Sequence, residues 1–331
     1  MTRIRIGLLL GDPAGVGPEI VAKVLARHEG ETGIRFVVIG SEDVLAAGAK
    51  VAGVSLAPSL LQGAASPADG PGPAMLRIPT DGIGEIRFGA ASPAAGLYAL
   101  RSLQAAVTAV KAGALDALVY APLNKHAMNL AGFSKIDEMH YLASLFDCKG
   151  FYSELNQLDD LWTSRVTSHV PLKDVAALLT TARIVDAAKL GARTMGLAGV
   201  AHPRIAVAGL NPHAGDSGTI GQEDIEVIAP AVNALRAEGY DAEGPFSPDT
   251  IFLSARRGAC NLVVTMYHDQ GQIALKALGF DRVVTVLGGL PVPAITASAG
   301  TAYDITGRNQ ASPEALIRAC DLARRMAQAR H

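Results

Sequence analysis

The chain has 331 residues, more than one hydrophobic core usually serves and enough for two lobes. It is 49% hydrophobic, 18% charged and 5% aromatic with a formal net charge of -2, which argues against a disordered chain and against a basic footprint for nucleic acid or an anionic membrane. Three cysteines without a CxxC spacing, and no apolar run of transmembrane length, fit a reducing, cytoplasmic setting.

In chain order, Ile4–Leu10 reads as a strand, and GDPAGVGPEI leads from it into a helix through Ala26. Glycines 11, 15 and 17 leave two readings open: a backbone cradle for an anion, or a tight turn with proline at the helix start. Residues 35–40 form a second strand, 41–49 a helix, 94–111 a longer helix, and 115–119 a strand ending in APLNKHAMNLAG. Residues 135–146 (KIDEMHYLASLF) are helix-compatible, and 150–166 carry no clear period. The run RVTSHVPLKDV predicts a strand stopping at Ser168-His169 and a helix over 175–190. RIAVAG (204–209) predicts a strand followed by LNPHAGDSGTIGQED and a helix through Leu235. LVVTMYHDQGQIALK (262–276) opens as a buried strand, turns at His268-Asp269, and is helix-compatible from Gln272. Residues 282–287 are a strand, the next twenty or so a loop, and 312–330 a closing helix. This alternation predicts an α/β protein with mostly parallel sheets and helices on both faces.

His169, His213 and His268 share one setting: each closely follows an aliphatic strand and precedes a helix. No local zinc motif joins them, yet strand ends of a parallel sheet lie along one edge, where such residues converge. Three imidazoles with an open fourth position suit a divalent metal. Each taken singly reads more simply as a hydrogen-bonded loop residue; the repetition is what favours ligands.

GDPAGVGPEI, APLNKHAMNLAG, VTSHVPLKDV, GLNPHAGDSGTIGQEDI, GPFSPDTIF and MYHDQGQIALK together resemble the 4-hydroxythreonine-4-phosphate dehydrogenase family. That family also takes in enzymes acting on related hydroxy acids and on dihydrodiol dicarboxylates such as the terephthalate dihydrodiol. The resemblance implies a two-lobed fold like isocitrate and isopropylmalate dehydrogenases, with an interdomain cleft. The lobes expected are 1–130 plus 275–331, with the cofactor loop, and 131–274, with the metal and dimerisation surfaces. It implies NAD- or NADP-dependent oxidation of a secondary alcohol, with decarboxylation of the resulting β-keto acid as a further step. It further implies a divalent metal on His169, His213 and His268 (zinc first, then cobalt, manganese or magnesium), completed across a homodimer interface. Catalysis falls to Lys276, Asp249 and His268. Substrate contacts fall to Lys276, His140, Glu138 and Thr285, and the cofactor loop to Gly300, Thr301, Ala302 and Asp304.

The departures bear on substrate. The family's GHTE is Asp137-Glu138-Met139-His140 here, and its D-H-G-T-A is Ser298-Ala299-Gly300-Thr301-Ala302. Positions that supply an Asn and an Arg to a substrate phosphate fall on Thr285 and Ala294. Losing a bidentate guanidinium disfavours a phosphate. The expected substrate is therefore a non-phosphorylated hydroxy acid or a cis-dihydrodiol carboxylate. The alternatives are an authentic 4-hydroxythreonine-4-phosphate dehydrogenase of pyridoxine biosynthesis and, from another class, a non-catalytic protein that binds a small carboxylate. A two-lobed acyl- or phosphotransferase would need the 11–17 loop to hold phosphate and magnesium to replace a histidine-bound metal.

Overall fold

β-branched apolar runs become strands, and the periodic stretches between them become helices. The computed structural model describes residues 3–66 and 70–331. Contacts divide the chain into two compact units, 1–148 with 290–331, and 149–289. The first opens with β1 (Ile4–Leu9), α1 (Gly17–Arg27), β2 (Ile34–Gly40), α2 (Glu42–Ala52), β3 (Ser59–Leu60) and β4 (Ala74–Arg77). It continues with α3 (Pro93–Lys111), β5 (Ala117–Tyr120), α4 (Lys125–Leu130) and α5 (Glu138–Leu145). The second contains β6 (Ser153–Leu158), β7 (Leu161–Arg165), α6 (Val175–Leu178), α7 (Thr181–Leu197), β8 (Ile205–Ala208) and α8 (Ala229–Ala237). It ends with β9 (Ala242–Phe246), α9 (Ile251–Arg256), β10 (Leu262–Thr265), α10 (His268–Gly279) and β11 (Val284–Gly288). The chain then returns to the first unit through β12 (Ala294–Ala297) and α11 (Glu314–Gln328).

In the first unit the strand order is β3-β4-β2-β1-β5-β12, every pair parallel. In the second it is β11-β6-β7-β10-β8-β9, antiparallel around β6 and parallel from β7 onward. The α/β class is therefore as expected, with mostly parallel strands. Leu262, Val263 and Val264 of β10 are all fully buried, as a parallel strand covered on both faces requires. Leu316, Ala319, Cys320, Leu322, Ala323 and Met326 give α11 one buried face at helical spacing. Helix starts follow their caps: Ser92 Oγ accepts from Ala95 N, Asp137 Oδ1 from His140 N, and Thr180 Oγ1 from Arg183 N. No helix among the described residues is long and apolar enough to cross a membrane.

Several stretches differ from expectation. Residues 150–166, aperiodic in sequence, form the β6–β7 hairpin, with Asp159 at φ 52° in the turn. Its polar side chains are buried and satisfy one another, which hides the strand pattern. The following strand accordingly ends at Arg165, before Ser168. The helix expected over 175–190 is broken, and α7 restarts behind its Thr180 cap. α10 begins at His268 itself, four residues before Gln272, and the loop after 288 contains β12. The stretch 275–289, grouped by the sequence pattern with the N-terminal lobe, clusters with the second unit because β11 pairs with β6.

In the first unit Asp116 closes the end of β5 onto β1. It accepts from Arg5 N at 2.8 Å, Arg5 Nε at 3.0 Å and Arg5 Nη2 at 2.6 Å. Burial alone would raise its carboxyl, but the Arg5 hydrogen bonds and charge outweigh that and hold it below the usual carboxylate range. Because the folded carboxyl is depressed, this stabilisation is present above about pH 4 and is lost as pH falls through the folded value. Asp116→Asn should lower stability at neutral pH by about 2 kcal/mol. Denaturant titrations should show the gap to the unsubstituted protein closing only under acid.

Candidate active site

The site begins with the register of two parallel strands. β7 and β10 pair with Arg165 opposite Thr265, so the segments that leave them run side by side. Val166 N donates to Thr265 O at 2.9 Å, Thr167 N to Met266 O at 3.1 Å, and Thr167 Oγ1 to the same carbonyl at 2.8 Å. Two residues beyond Met266 and Thr167, His268 and His169 present rings whose centroids are 5.5 Å apart at 38°. They border a cavity of about 240 Å³ with Ser168, Leu172 and Tyr267. Ser168 Oγ is buried there with no hydrogen-bond partner among the described residues. His169 holds a left-handed backbone, φ 54°, which for a non-glycine residue is strained.

His268 Nδ1 lies 2.6 Å from Asp269 Oδ1. Burial lowers the imidazole's pKa; the Asp269 hydrogen bond opposes this, and the charges of Arg165 and His169 restore the net lowering. A neutral ring with one nitrogen held by a carboxylate is the form that binds a metal through the other nitrogen. Two imidazoles on one tetrahedral zinc ion would put their ring centroids about 5 Å apart, which the observed pair matches. The residues present therefore fit a divalent metal.

His213 stands on a different kind of turn. Residues His213, Ala214, Gly215, Asp216 and Ser217 all have positive φ, between 43° and 80°, a left-handed turn made mostly of non-glycine residues. Buried Asp224 anchors its entry by accepting from Leu210 N at 2.9 Å, Asn211 N at 3.2 Å and Asn211 Nδ2 at 2.9 Å. Gln270 ties this loop to that of His268: its Nε2 donates to Gly209 O at 2.8 Å, and its Oε1 accepts from Met266 N at 2.7 Å. Even so, the three histidines do not form a group with all ligand atoms within 4.8 Å among the described residues. The structure brings His169 and His268 together and leaves His213 exposed and apart from a three-donor set.

Of the other candidates in this unit, Asp249 is exposed and accepts from Ser247 Oγ at 2.5 Å; that bond first, with the charge of His213 among the further causes, lowers its pKa. Lys276 is exposed on α10, its Nζ 5.8 Å from the Phe280 ring centre. Thr285 is buried, and its Oγ1 accepts from Asn156 Nδ2 at 2.9 Å.

In the first unit, the 11–17 loop is buried and four of its amides are already used. Asp12 N donates to Pro122 O, Ala14 N to Asp12 Oδ1, Gly15 N to Asp12 O and Val16 N to Thr301 O. At Gly11, φ +72°, an added Cβ would meet Pro122 O at 2.6 Å, and at Gly15 one would meet Thr301 O at 2.7 Å. Of the two readings, the tight turn holds, and the glycines serve close packing. What they pack against is the candidate cofactor loop. Thr301 is buried, Ala302 has φ 44°, and Gly300 and Asp304 are exposed. Tyr303 donates its hydroxyl to Asp12 Oδ2 at 2.6 Å. Burial raises the Asp12 pKa against the Tyr303 and Ala14 hydrogen bonds that lower it. Burial and then Asp12 push the Tyr303 phenol upward. The cofactor candidates are thus held by the N-terminal turn, with Gly300 and Asp304 exposed. His140 is half-buried, its Nδ1 2.6 Å from Asp137 Oδ1, and Glu138 opens the same helix α5. Ala294 is wholly buried within β12, paired with Leu118.

Sequence reasoning assigned no role to Asp224, Gln270, Asn156, Arg165, Asp137 or the Asp12–Tyr303 pair. Polar residues in GQEDI and NQL carry no periodic signal, and only their burial marks them.

The family described as "Pyridoxal phosphate biosynthetic protein PdxA" matches residues 33–323. A Pseudomonas aeruginosa relative, named only provisionally as a 4-hydroxythreonine-4-phosphate dehydrogenase, is 43% identical over 97% of this chain and 96% of its own. The D-threonate 4-phosphate dehydrogenase of Pectobacterium atrosepticum is 36% identical over 97% and 99%. Among solved structures, a 4-hydroxythreonine-4-phosphate dehydrogenase from Klebsiella pneumoniae superposes with a TM-score of 0.84 at 35% identity, covering 99% of both chains. A terephthalate 1,2-cis-dihydrodiol dehydrogenase from Burkholderia xenovorans LB400 gives 0.66 at 27%, covering 97% of this chain and 98% of its own.

Asp224→Ala removes the acceptor of two backbone N–H groups at the entry of a strained turn. Denaturant titration should show a loss of about 3 kcal/mol or more. Asp224→Asn, which keeps one acceptor, should lose less.

Proposed function

Because the chain belongs to the pyridoxal phosphate biosynthetic protein PdxA family of dehydrogenases, we propose that it oxidises the secondary alcohol of a small phosphorylated hydroxy acid, of the 4-hydroxythreonine-4-phosphate or D-threonate 4-phosphate kind, with NAD or NADP and a divalent metal. The observation that carries this reading is the His169–His268 pair on adjacent strand ends. The relatives named for phosphorylated substrates share more sequence and more of the fold than the dihydrodiol enzyme does. They favour the phosphorylated alternative over the non-phosphorylated substrate expected from Thr285 and Ala294. Absence of a guanidinium at 294 does not exclude a phosphate, because Lys276 remains to meet one.

Imidazole donors favour zinc or cobalt over magnesium. Such an ion would lower the pKa of the substrate alcohol and the nicotinamide would accept hydride. The chain's own residues do the rest. Asp269 fixes the ring of His268, and the β7–β10 register sets its separation from His169. Lys276 offers an exposed ammonium to the substrate's acid groups, with Thr285, nine residues further on in β11, as a hydroxyl partner. Within the first unit, buried Asp137 orients His140 through Nδ1. Asp249 is the carboxylate proposed for catalysis in the second unit. Thr301, Ala302, Gly300 and Asp304 are proposed to hold the dinucleotide, buttressed by Asp12 and Tyr303.

A homodimer completes this reading: His213 of one copy would join the pair of another. Its exposed position supports that, as do exposed Ile220, Ile225 and Leu253 in the same unit. Free Cys148, Cys260 and Cys320 support a cytoplasmic setting.

The test is NADH or NADPH formation from 4-phosphohydroxythreonine, D-threonate 4-phosphate and a dihydrodiol dicarboxylate, with bound metal measured alongside. The phosphorylated acids should show the higher kcat/KM, and His169→Ala and His268→Ala should lose metal and turnover together. Asp269→Asn should weaken metal binding about tenfold without unfolding the protein. Full activity in metal-free enzyme, or preference for the dihydrodiol, overturns the reading.

A further inference from the structure

Four elements of the second unit meet at one buried carboxamide. Asn156, 1% exposed in β6, lies opposite Thr285 of β11 on one side and Thr163 of β7 on the other. Its Oδ1 accepts from Arg165 Nη2 at 2.7 Å and from Gln272 Nε2 at 2.8 Å. Its Nδ2 donates to Thr285 Oγ1 at 2.9 Å. Arg165, 4% exposed, also pairs with Glu154 Oε2 at 3.2 Å.

Burying a guanidinium, a carboxylate and two carboxamides costs desolvation that an apolar cluster of similar volume would avoid. What such a network supplies instead is position. Two consequences follow from where it is attached. Gln272 is on α10, four residues after His268 and four before Lys276, on the turn between them. Its bond to Asn156 therefore fixes how that helix sits against β6 and β7; a Cβ on Gly271 would reach Thr163 Oγ1 of β7 at 3.7 Å. At the other end, Thr285 Oγ1 is used as an acceptor, so its own proton is left to donate. The sequence Arg165 to Asn156 to Thr285 runs in one donor direction, and each bond polarises the next. A cation at its head makes the hydroxyl at its end a better donor to an anion.

We infer that Arg165 and Asn156 are positioning residues of this dehydrogenase, holding α10 with His268 and Lys276 through Gln272 and presenting the Thr285 hydroxyl to an acidic group of the substrate. The Thr285 arm rests on the function proposed above; the α10 arm does not.

The two arms are read separately. Without substrate, Gln272→Met and Arg165→Met should each raise hydrogen exchange of the amides of 272–279 by about fivefold or more, with thermal melts confirming the fold. Asn156→Asp, which keeps both acceptor contacts, should preserve that protection, whereas Asn156→Leu should not. Unchanged exchange in both methionine variants overturns the α10 arm. With the phosphorylated hydroxy acid, Arg165→Met and Thr285→Val should each raise KM about tenfold with little change in kcat. The double variant should be within about twofold of the worse single one, because both remove the same donor. Effects that multiply, or a KM unmoved by Arg165→Met, overturn the Thr285 arm. If Arg165→Met does not fold, Gln272→Met decides the first arm, and Asn156→Asp, which cannot donate to Thr285 as the amide does, replaces it in the second. Failure of the unsubstituted enzyme to oxidise any phosphorylated acid would sink the proposed function and the Thr285 arm with it, while the exchange result still decides the α10 arm.

Discussion

The parallel pairing of β7 with β10 is the constraint on which the candidate site depends. Arg165 opposite Thr265 fixes where each strand ends, and three further hydrogen bonds keep the two exit segments in step past the last ladder pair. His169 and His268 face each other because backbone register leaves them nowhere else to go. A one-residue slip would turn every side chain of β10 to the other face and separate the rings. Leu262, Val263 and Val264 are buried on both faces, so the slip is opposed by the whole core of that strand.

A second constraint acts on the loops. From His213 to Ser217 the backbone stays left-handed, an arrangement costing about 1–2 kcal/mol for each non-glycine residue. The turn persists because Asp224 and Gln270 over-determine it from two sides, one at its entry and one from the helix of His268. His169 is strained in the same sense. Strain concentrated at two of the three histidines singled out by their strand-end placement is the pattern of side chains held for a task rather than left to relax.

This explains what could be read from the sequence. The strand-end histidines were legible because aliphatic runs announce buried parallel strands and the chemistry lies just beyond them. The helices over 17–27, 93–111 and 314–328 were legible for the same reason of periodicity. β6 was not, since SELNQL buries Glu154 and Asn156 beside Leu155, and a strand whose polar residues satisfy one another has no alternation to detect. β12 was hidden because AITA sits in a Gly- and Pro-rich stretch and is four residues long. The 11–17 glycines were visible but ambiguous. Their packing against Thr301 involves residues nearly three hundred positions apart, which no local pattern carries.

Reaction and substrate are written at different levels of the structure, which is why one was easier to infer. The placement of the proposed metal pair follows from strand order and register, properties that many residues enforce together. Substrate recognition depends on single side chains that can exchange with their neighbours. Thr285 illustrates the difference. Taken alone it looks like the loss of an amide that would grip an anion, yet the strand beside it places an amide, Asn156, on its hydroxyl and a guanidinium, Arg165, on that amide. Ala294, buried in a strand, has no space for a cation of its own. A position-by-position reading counts both as losses. A spatial reading finds an amide one hydrogen bond from the hydroxyl at 285 and a cation two away, the polarity that the proposed binding of an acidic substrate would use.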